Sequence, residues 1–322
     1  MNTLTLPKTG LKVSRVCCGT MTFGAQTDEP TAVEMVATCL DRGINFFDTA
    51  NVYNQGRSET ILGRALKGRR DRVVLASKVA GKMGPAADQS GLSRAAIVRS
   101  IEDSLQRLQT DYLDIYYLHS PDYAVPLEET LGAMQDLVTS GKVRHVGASN
   151  YASWQVVKML WLAEKNHLPV IGVTQPMYNL LARGIEQEFL PMCREFDVAT
   201  IVYNPLAGGL LTGKQQSSAP LPGTRFDKNQ AYLDRYWHDA NFEALQELDA
   251  IAREAKRSLV SLALNWILHH SPADAVILGA SRLAHLEENL RAVDEGPLPA
   301  EAVAGCDRVW GRLRGPSPKY NR

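Results

Sequence analysis

Asp48, Tyr53, Lys78 and His119 each stand at or just beyond the end of a short apolar run. The runs are Ile44–Phe47, Val73–Ser77 and Leu113–Leu118, and each reads as a strand. A tyrosine beside an ammonium can give up a proton more readily than free tyrosine, whose pKa lies near ~10. A carboxylate at Asp48 would hold Lys78 charged and oriented. Tyr53 could then protonate a developing alkoxide or, in the reverse direction, accept its proton. Neutral His119 would bind a carbonyl oxygen and set its angle. Taken singly, these residues also suit bland roles: a salt bridge, a rim aromatic, a helix cap. Together, at the ends of three successive strands, they suggest one proton-transfer site, which is half of a carbonyl reduction.

The elements that must bring them together alternate along the whole chain. Apolar runs start near Val16, Ile44, Val73, Leu113, Val143, Val170, Thr200 and Val276. Amphipathic, helix-spaced stretches separate them: Thr31–Arg42, Ser58–Leu66, Ser93–Leu108, Leu127–Ser140, Ser153–Lys165 and Glu186–Glu195. Phe242–Lys256 and Val260–His269 precede the last strand, and Leu283–Ala292 follows it. Strands apolar on both faces with helices between them predict a parallel (β/α)8 TIM barrel, whose chemistry gathers at the strand C-termini. A doubly wound sheet is the alternative, but no GxGxxG follows the first strand. Leu4–Leu6 and Leu11–Val13 predict an N-terminal β-hairpin closing the barrel bottom. A long loop spans 208–241, and a C-terminal helix, Ala300–Leu313, leads into a Pro-rich tail.

At 322 residues, one barrel domain accounts for the whole chain, 1–322. Lys+Arg and Asp+Glu balance at 35 each, with no basic tract for nucleic acid or an anionic membrane surface. No apolar run approaches the roughly 20 residues of a bilayer span, and the N-terminus lacks a signal peptide's apolar core. Five cysteines without metal or CxxC spacing predict reduced thiols and a cytoplasmic setting, with no bound metal.

Gly43–Tyr53, Ser58–Gly63, Ala76–Lys78 and Asp111–His119 resemble the signature of the aldo-keto reductase superfamily, and the likeness runs in order through essentially the whole chain. That family's catalytic Asp, Tyr, Lys and His match Asp48, Tyr53, Lys78 and His119. The resemblance implies a hydride from a nicotinamide dinucleotide lying across the barrel mouth. By the same resemblance Ser149, Asn150 and Gln175 would bind the carboxamide and Tyr203 would stack on the nicotinamide ring. The segment Asn204–Lys214 looks like the pyrophosphate loop, with Asn204, Leu206, Gly208, Leu211, Thr212, Gly213 and Lys214 as contacts and its glycine amides open to phosphate. Gly279, Ser281, Arg282, His285, Glu288 and Asn289 would hold the adenosine end. Many relatives carry other residues at the positions of Gly279 and His285. Arg225 matches a cofactor-phosphate position and implies NADPH, with NADH as the alternative.

Asn204–Lys214, Arg235–Trp237, His269–Ser271, Asp274–Gly279 and Glu295–Pro297 resemble the branch of aflatoxin-aldehyde and succinic-semialdehyde reductases. That likeness implies Tyr232, Arg235 and the terminal Arg322, with His119, as substrate contacts, and a homodimer. Two guanidiniums suit a carboxylate or an oxygen-rich carbonyl compound. The expected activity is NADPH-dependent reduction of aldehydes or ketones. Oxidation of sugars or secondary alcohols is the reverse reading, and a nucleotide-sensing regulatory subunit similar to potassium-channel β subunits is a third.

Overall fold

Inward and outward residues alternate toward the C-terminal ends of most of the central strands, and this places the site. In the computed structural model, which describes residues 1–317, eight parallel strands close into a barrel. They are β3 (Val16–Gly19), β4 (Phe46–Asp48), β5 (Val74–Val79), β6 (Leu113–Leu118), β7 (Val143–Ser149), β8 (Ile171–Gln175), β9 (Ala199–Val202) and β10 (Ala275–Gly279). One buried cluster fills the barrel and includes Cys17, Phe46, Val74, Ala76, Ile115, Tyr117, Val173, Ile201 and Ile277. The intervening residues, among them Cys18, Phe47, Leu75, Tyr116 and Leu118, join the larger cluster beneath the helices. Side chains two apart along a strand share a face. Each inward row therefore continues to a residue at the mouth: Phe46 to Asp48, Ala76 to Lys78, Tyr117 to His119, Val173 to Gln175 and Ile201 to Tyr203.

Polar caps start several of the outer helices. Asp28 accepts from the Thr31 amide at the head of α1 (Glu29–Asp41), and Ser93 from the Ala96 amide before α3 (Arg94–Leu108). Between them α2 (Arg57–Ala65) buries Ser58 and Glu59 in its first turn. The ring continues through α4 (Leu127–Thr139), α5 (Ser153–Asn166) and α6 (Phe189–Glu195). The expected long loop proves partly helical, with a 3-10 turn at Ala207–Thr212 and α7 (Gln230–Tyr236). The aromatic stretch folds because Tyr236 has a core to enter: it is 1% exposed and its hydroxyl receives bonds from Asn179 and Asn204. Helices α8 (Asp239–Glu254), α9 (Leu259–His270), α10 (Leu283–Asp294) and α11 (Ala300–Arg314) complete the fold. Boundaries differ from the sequence expectation by one to three residues at most ends, as fraying termini do.

At the opposite end β1 (Thr3–Thr5) and β2 (Lys12–Ser14) pair antiparallel, Leu4 opposite Val13. Leu6 and Val13 are fully buried in the cluster inside the barrel, so the hairpin plugs the bottom as expected. Tyr117 fills the interior higher up. A methyl group on Gly147 would lie 2.4 Å from its ring, and β7 carries a register shift beside that glycine. All five cysteines are free and buried. No described helix is long and apolar enough to cross a membrane.

Candidate active site

Lys78 has no contact with solvent, and its three N–H donors all find acceptors. They go to Asp48 Oδ1, to the Thr49 carbonyl oxygen at 2.7 Å and to the Tyr53 hydroxyl at 3.3 Å. The second carboxylate oxygen of Asp48 accepts from Gln175 Nε2 at 2.8 Å. The ring of Tyr53 meets that of His119 edge to face, centroids 5.9 Å apart. The structure thus assembles Asp48, Tyr53, Lys78 and His119 into one cluster. Tyr53 and His119 face the cleft, and Lys78 stands behind them, outside its wall.

The electrostatics correct one expectation. Burial pushes the Tyr53 phenol above its ordinary value; the Lys78 ammonium pulls it back only in part, and Asp48 adds to the rise. The hydroxyl is therefore a stored proton at neutral pH, shifted upward from free tyrosine rather than downward. Burial alone would lower the Lys78 value, but Asp48 and Tyr53 together raise it, so the ammonium persists. Burial and the Lys78 charge bring His119 down to about 3, which leaves a neutral imidazole.

A cleft of about 650 Å³ runs from this cluster to the head of α10. Near the tetrad its wall holds Ser149, Asn150, Gln175 and Tyr203. Asn150, in a left-handed conformation (φ 62°), donates to the His119 carbonyl oxygen at 2.8 Å and accepts from the Tyr203 hydroxyl at 2.7 Å. Ser149 Oγ donates to the Gln175 carbonyl oxygen at 2.8 Å. These side chains hold one another as well as the wall. The far end carries Lys214, Gly279, Ser281, Arg282, His285, Glu288 and Asn289, with Lys214 and Glu288 facing each other at 3.9 Å. Ser281 and Arg282 immediately precede α10, where helix polarity favours an anion.

The middle of the cleft differs from the sequence expectation. Asn204, Leu206, Gly208 and Thr212 line it, but Leu211 and Gly213 do not. The 3-10 turn rotates Leu211 into the core, where it is fully buried, and Gly213 closes the turn against Leu259. The Gly208 amide is taken by Asn204 Oδ1 at 2.6 Å and the Gly209 amide by the Leu206 carbonyl oxygen at 2.8 Å. These two glycines provide space and turning rather than free donors: their φ values are +70° and +103°, and a methyl on Gly208 would strike the Tyr232 ring at 2.7 Å. Arg225 lies over that ring, 5.3 Å from its centroid, and donates to the Tyr232 hydroxyl. Arg235 stands 5.4 Å from the same ring, and all three residues line the cleft. Arg322 falls outside the described residues.

The loop after β3 also walls the cleft, a placement the sequence does not indicate. Gly19, Thr20, Met21, Thr22 and Gln26 line the cleft. Gln26 donates to the Gly223 carbonyl oxygen at 3.2 Å, and Arg225 reaches Met21 Sδ, so this loop meets the 215–229 segment across the opening. The available signal was position alone: Cys17-Cys18-Gly19-Thr20 ends the first barrel strand.

A nicotinamide dinucleotide suits these walls in two respects: amide and hydroxyl groups gather beside the tetrad, and Lys214, Arg282 and Arg225 carry cationic charge farther along, across a glycine floor without Cβ atoms. Among the described residues no group of His, Cys, Asp and Glu could hold a metal ion.

Comparison with known proteins agrees. The profile of the Aldo/keto reductase family matches residues 15–311. Aflatoxin B1 aldehyde reductase member 2 of Homo sapiens is 40% identical, over 94% of this chain and 88% of its own length. Aldo-keto reductase family 7 member A3 of Homo sapiens is 38% identical over 94% of this chain and 96% of its own. A probable voltage-gated potassium channel subunit beta of Arabidopsis thaliana is 37% identical over 91% of each. The chain belongs to the aldo/keto reductase family, within its aflatoxin-aldehyde reductase branch, and is an NAD(P)H-dependent oxidoreductase.

Proposed function

We propose that the chain reduces aldehydes and ketones to alcohols with NADPH, with Tyr53 as proton donor. The observation that carries this is the sealed Lys78 ammonium, whose third donor ends on the Tyr53 hydroxyl at 3.3 Å. A bound nicotinamide dinucleotide supplies the hydride. Neutral His119 donates to the substrate oxygen and fixes its angle, and Tyr53 protonates that oxygen as charge develops. Lys78 stabilises the phenolate left behind, and Asp48, held by Gln175, keeps Lys78 charged and in place. The raised phenol stays protonated at neutral pH, so the acid is loaded when a carbonyl substrate arrives. Lys214, Arg282 and Arg225 supply the charge that supports NADPH over NADH. Tyr232 and Arg235 present an aromatic face and a cation to the substrate, which suits a carboxylate-bearing or oxygen-rich aldehyde. A cytoplasmic homodimer completes the reading. The potassium-channel relative keeps a nucleotide-sensing role as the second reading.

The test is Tyr53→Phe. The variant should bind NADPH like the parent in a tryptophan-fluorescence titration and lose turnover of 4-nitrobenzaldehyde. Near-parental turnover would remove Tyr53 from the mechanism. A parent that binds the dinucleotide and turns over no member of an aldehyde panel would favour the sensing role.

A further inference from the structure

Behind Tyr53 the structure holds a second, much smaller cavity of about 20 Å³ that belongs to no part of the cleft. It lies between the 80–91 segment, one face of α3 and the turn that carries Tyr53. Asn51, 2% exposed, forms part of its wall with Gln89, Arg99, Ser100 and Asp103. Asn51 Nδ2 donates to Ser100 Oγ at 2.9 Å, and its Oδ1 is buried with no partner among the described residues. Turning the amide over exchanges which end is unpaired without pairing both. An unmade bond at such a group costs about 1–3 kcal/mol. A cavity of this size beside the orphan atom, just above the roughly 10–15 Å³ that one water requires, gives a water room to relieve that cost.

The position matters because Asn51 anchors the turn. Its amide donates to the Lys78 carbonyl oxygen at 3.3 Å, and the next residue, Val52, lies so close to Gly81 that a Cβ there would approach to 2.5 Å. Ser100, which fixes Asn51, also receives the Tyr116 hydroxyl at 3.1 Å. On the other side of Tyr53 the chain passes through three successive left-handed residues, Asn54, Gln55 and Gly56. Asn54 ties that side to the Met21 and Phe23 carbonyl oxygens at 2.9 and 2.7 Å. Tyr53 is thus suspended between an outer anchor at Asn54 and an inner one at Asn51. Its hydroxyl lies 3.3 Å from Lys78 Nζ.

We infer that the cavity behind the Tyr53 turn binds one ordered water through Asn51, and that Asn51 with this water is a positioning element for Tyr53. The inference rests on the reading of Tyr53 as proton donor. A high-resolution crystal structure of the holoenzyme should show a solvent peak hydrogen-bonded to the Asn51 side chain. Asn51→Leu, of similar size and without either polar atom, should lack the peak and lower kcat roughly tenfold through displacement of the reacting group. Its NADPH affinity should be essentially unchanged, and the alkaline limb of its kcat profile should move. Asn51→Asp, which can still bond Ser100 and a water, should recover most of the loss. If Asn51→Leu fails to fold, Ser100→Ala removes the same anchor and should show the same split. No solvent peak in the parent, or parental kcat and an unmoved pH limb in the folded variant, overturns the inference. Full activity of Tyr53→Phe would instead overturn the reading beneath it.

Discussion

Asp48→Asn tests the electrostatics of the tetrad at its most exposed assumption, that a fully buried ammonium survives only because of its partner. The aspartate gives one oxygen to Lys78 and the other to Gln175. Asparagine offers a single acceptor oxygen to those two donors, so one of them must face an N–H group. Breaking a buried ion pair in this way costs about 3–5 kcal/mol. The informative measurement is how that loss changes with pH. In the parent, the Lys78 value is raised, so the stability it contributes is complete below the unfolded lysine value and is lost only as pH rises through the higher folded one. Between pH 7 and 9 the parent therefore gains or loses nothing from Lys78. In the variant the chief upward influence is gone and burial, the largest single influence, lowers the folded value. The unfolded chain then binds a proton that the folded one does not, and stability rises with pH by up to about 1.4 kcal/mol per unit. The stability gap between parent and variant should thus shrink from pH 7 to pH 9 by as much as about 2.7 kcal/mol. Urea unfolding of both proteins at the two pH values measures it. A gap that stays constant or widens would refute the claim that Asp48 keeps Lys78 charged.

Other outcomes follow from the same geometry. His119 is depressed to about 3, so the parent should lose stability as pH falls below the unfolded histidine value, and His119→Gln should remove that share of the decline; unfolding at pH 7 and pH 5 should show the gap between the two narrowing in acid, and a pH-independent gap would contradict the assignment. Gly208→Ala places a methyl against the Tyr232 ring at a φ of +70°, a strain of about 1–3 kcal/mol; NADPH titration should show weakened binding, with Tyr53-dependent chemistry intact at saturation. Arg235→Met should raise KM for succinic semialdehyde more than for 4-nitrobenzaldehyde, and equal effects on both would remove the carboxylate role.

What the sequence disclosed and what it hid divide along a physical line. Strand runs and helix spacing are local, and they specified the barrel, the hairpin and the order of elements. The tetrad was legible because Asp48, Lys78 and His119 sit at strand ends, where barrel topology forces convergence. Gln175 and Tyr203 were legible only through the family resemblance, because strands apolar on both faces carry no inward parity to read. Other features depend on partners far away in the chain. Nothing local marks the 20–26 loop as a wall of the cleft, because its role is set by contacts with residues 223 and 225. Leu211 reads as part of a glycine-rich phosphate loop, and only the tight 3-10 turn sends it into the core. The sign of the Tyr53 shift is a balance between burial and one neighbouring charge, and burial is a property of the assembled fold.

The hairpin at the barrel bottom has a consequence for protons. Leu6 and Val13 seal that end, and Cys17, Phe46 and Ile115 above them line the interior with buried apolar surface. The tetrad therefore sits in a vessel with one opening. Tyr53 opens onto the mouth by which substrate enters, so a proton that reloads the acid through it shares one doorway with the departing product, and the two must take turns.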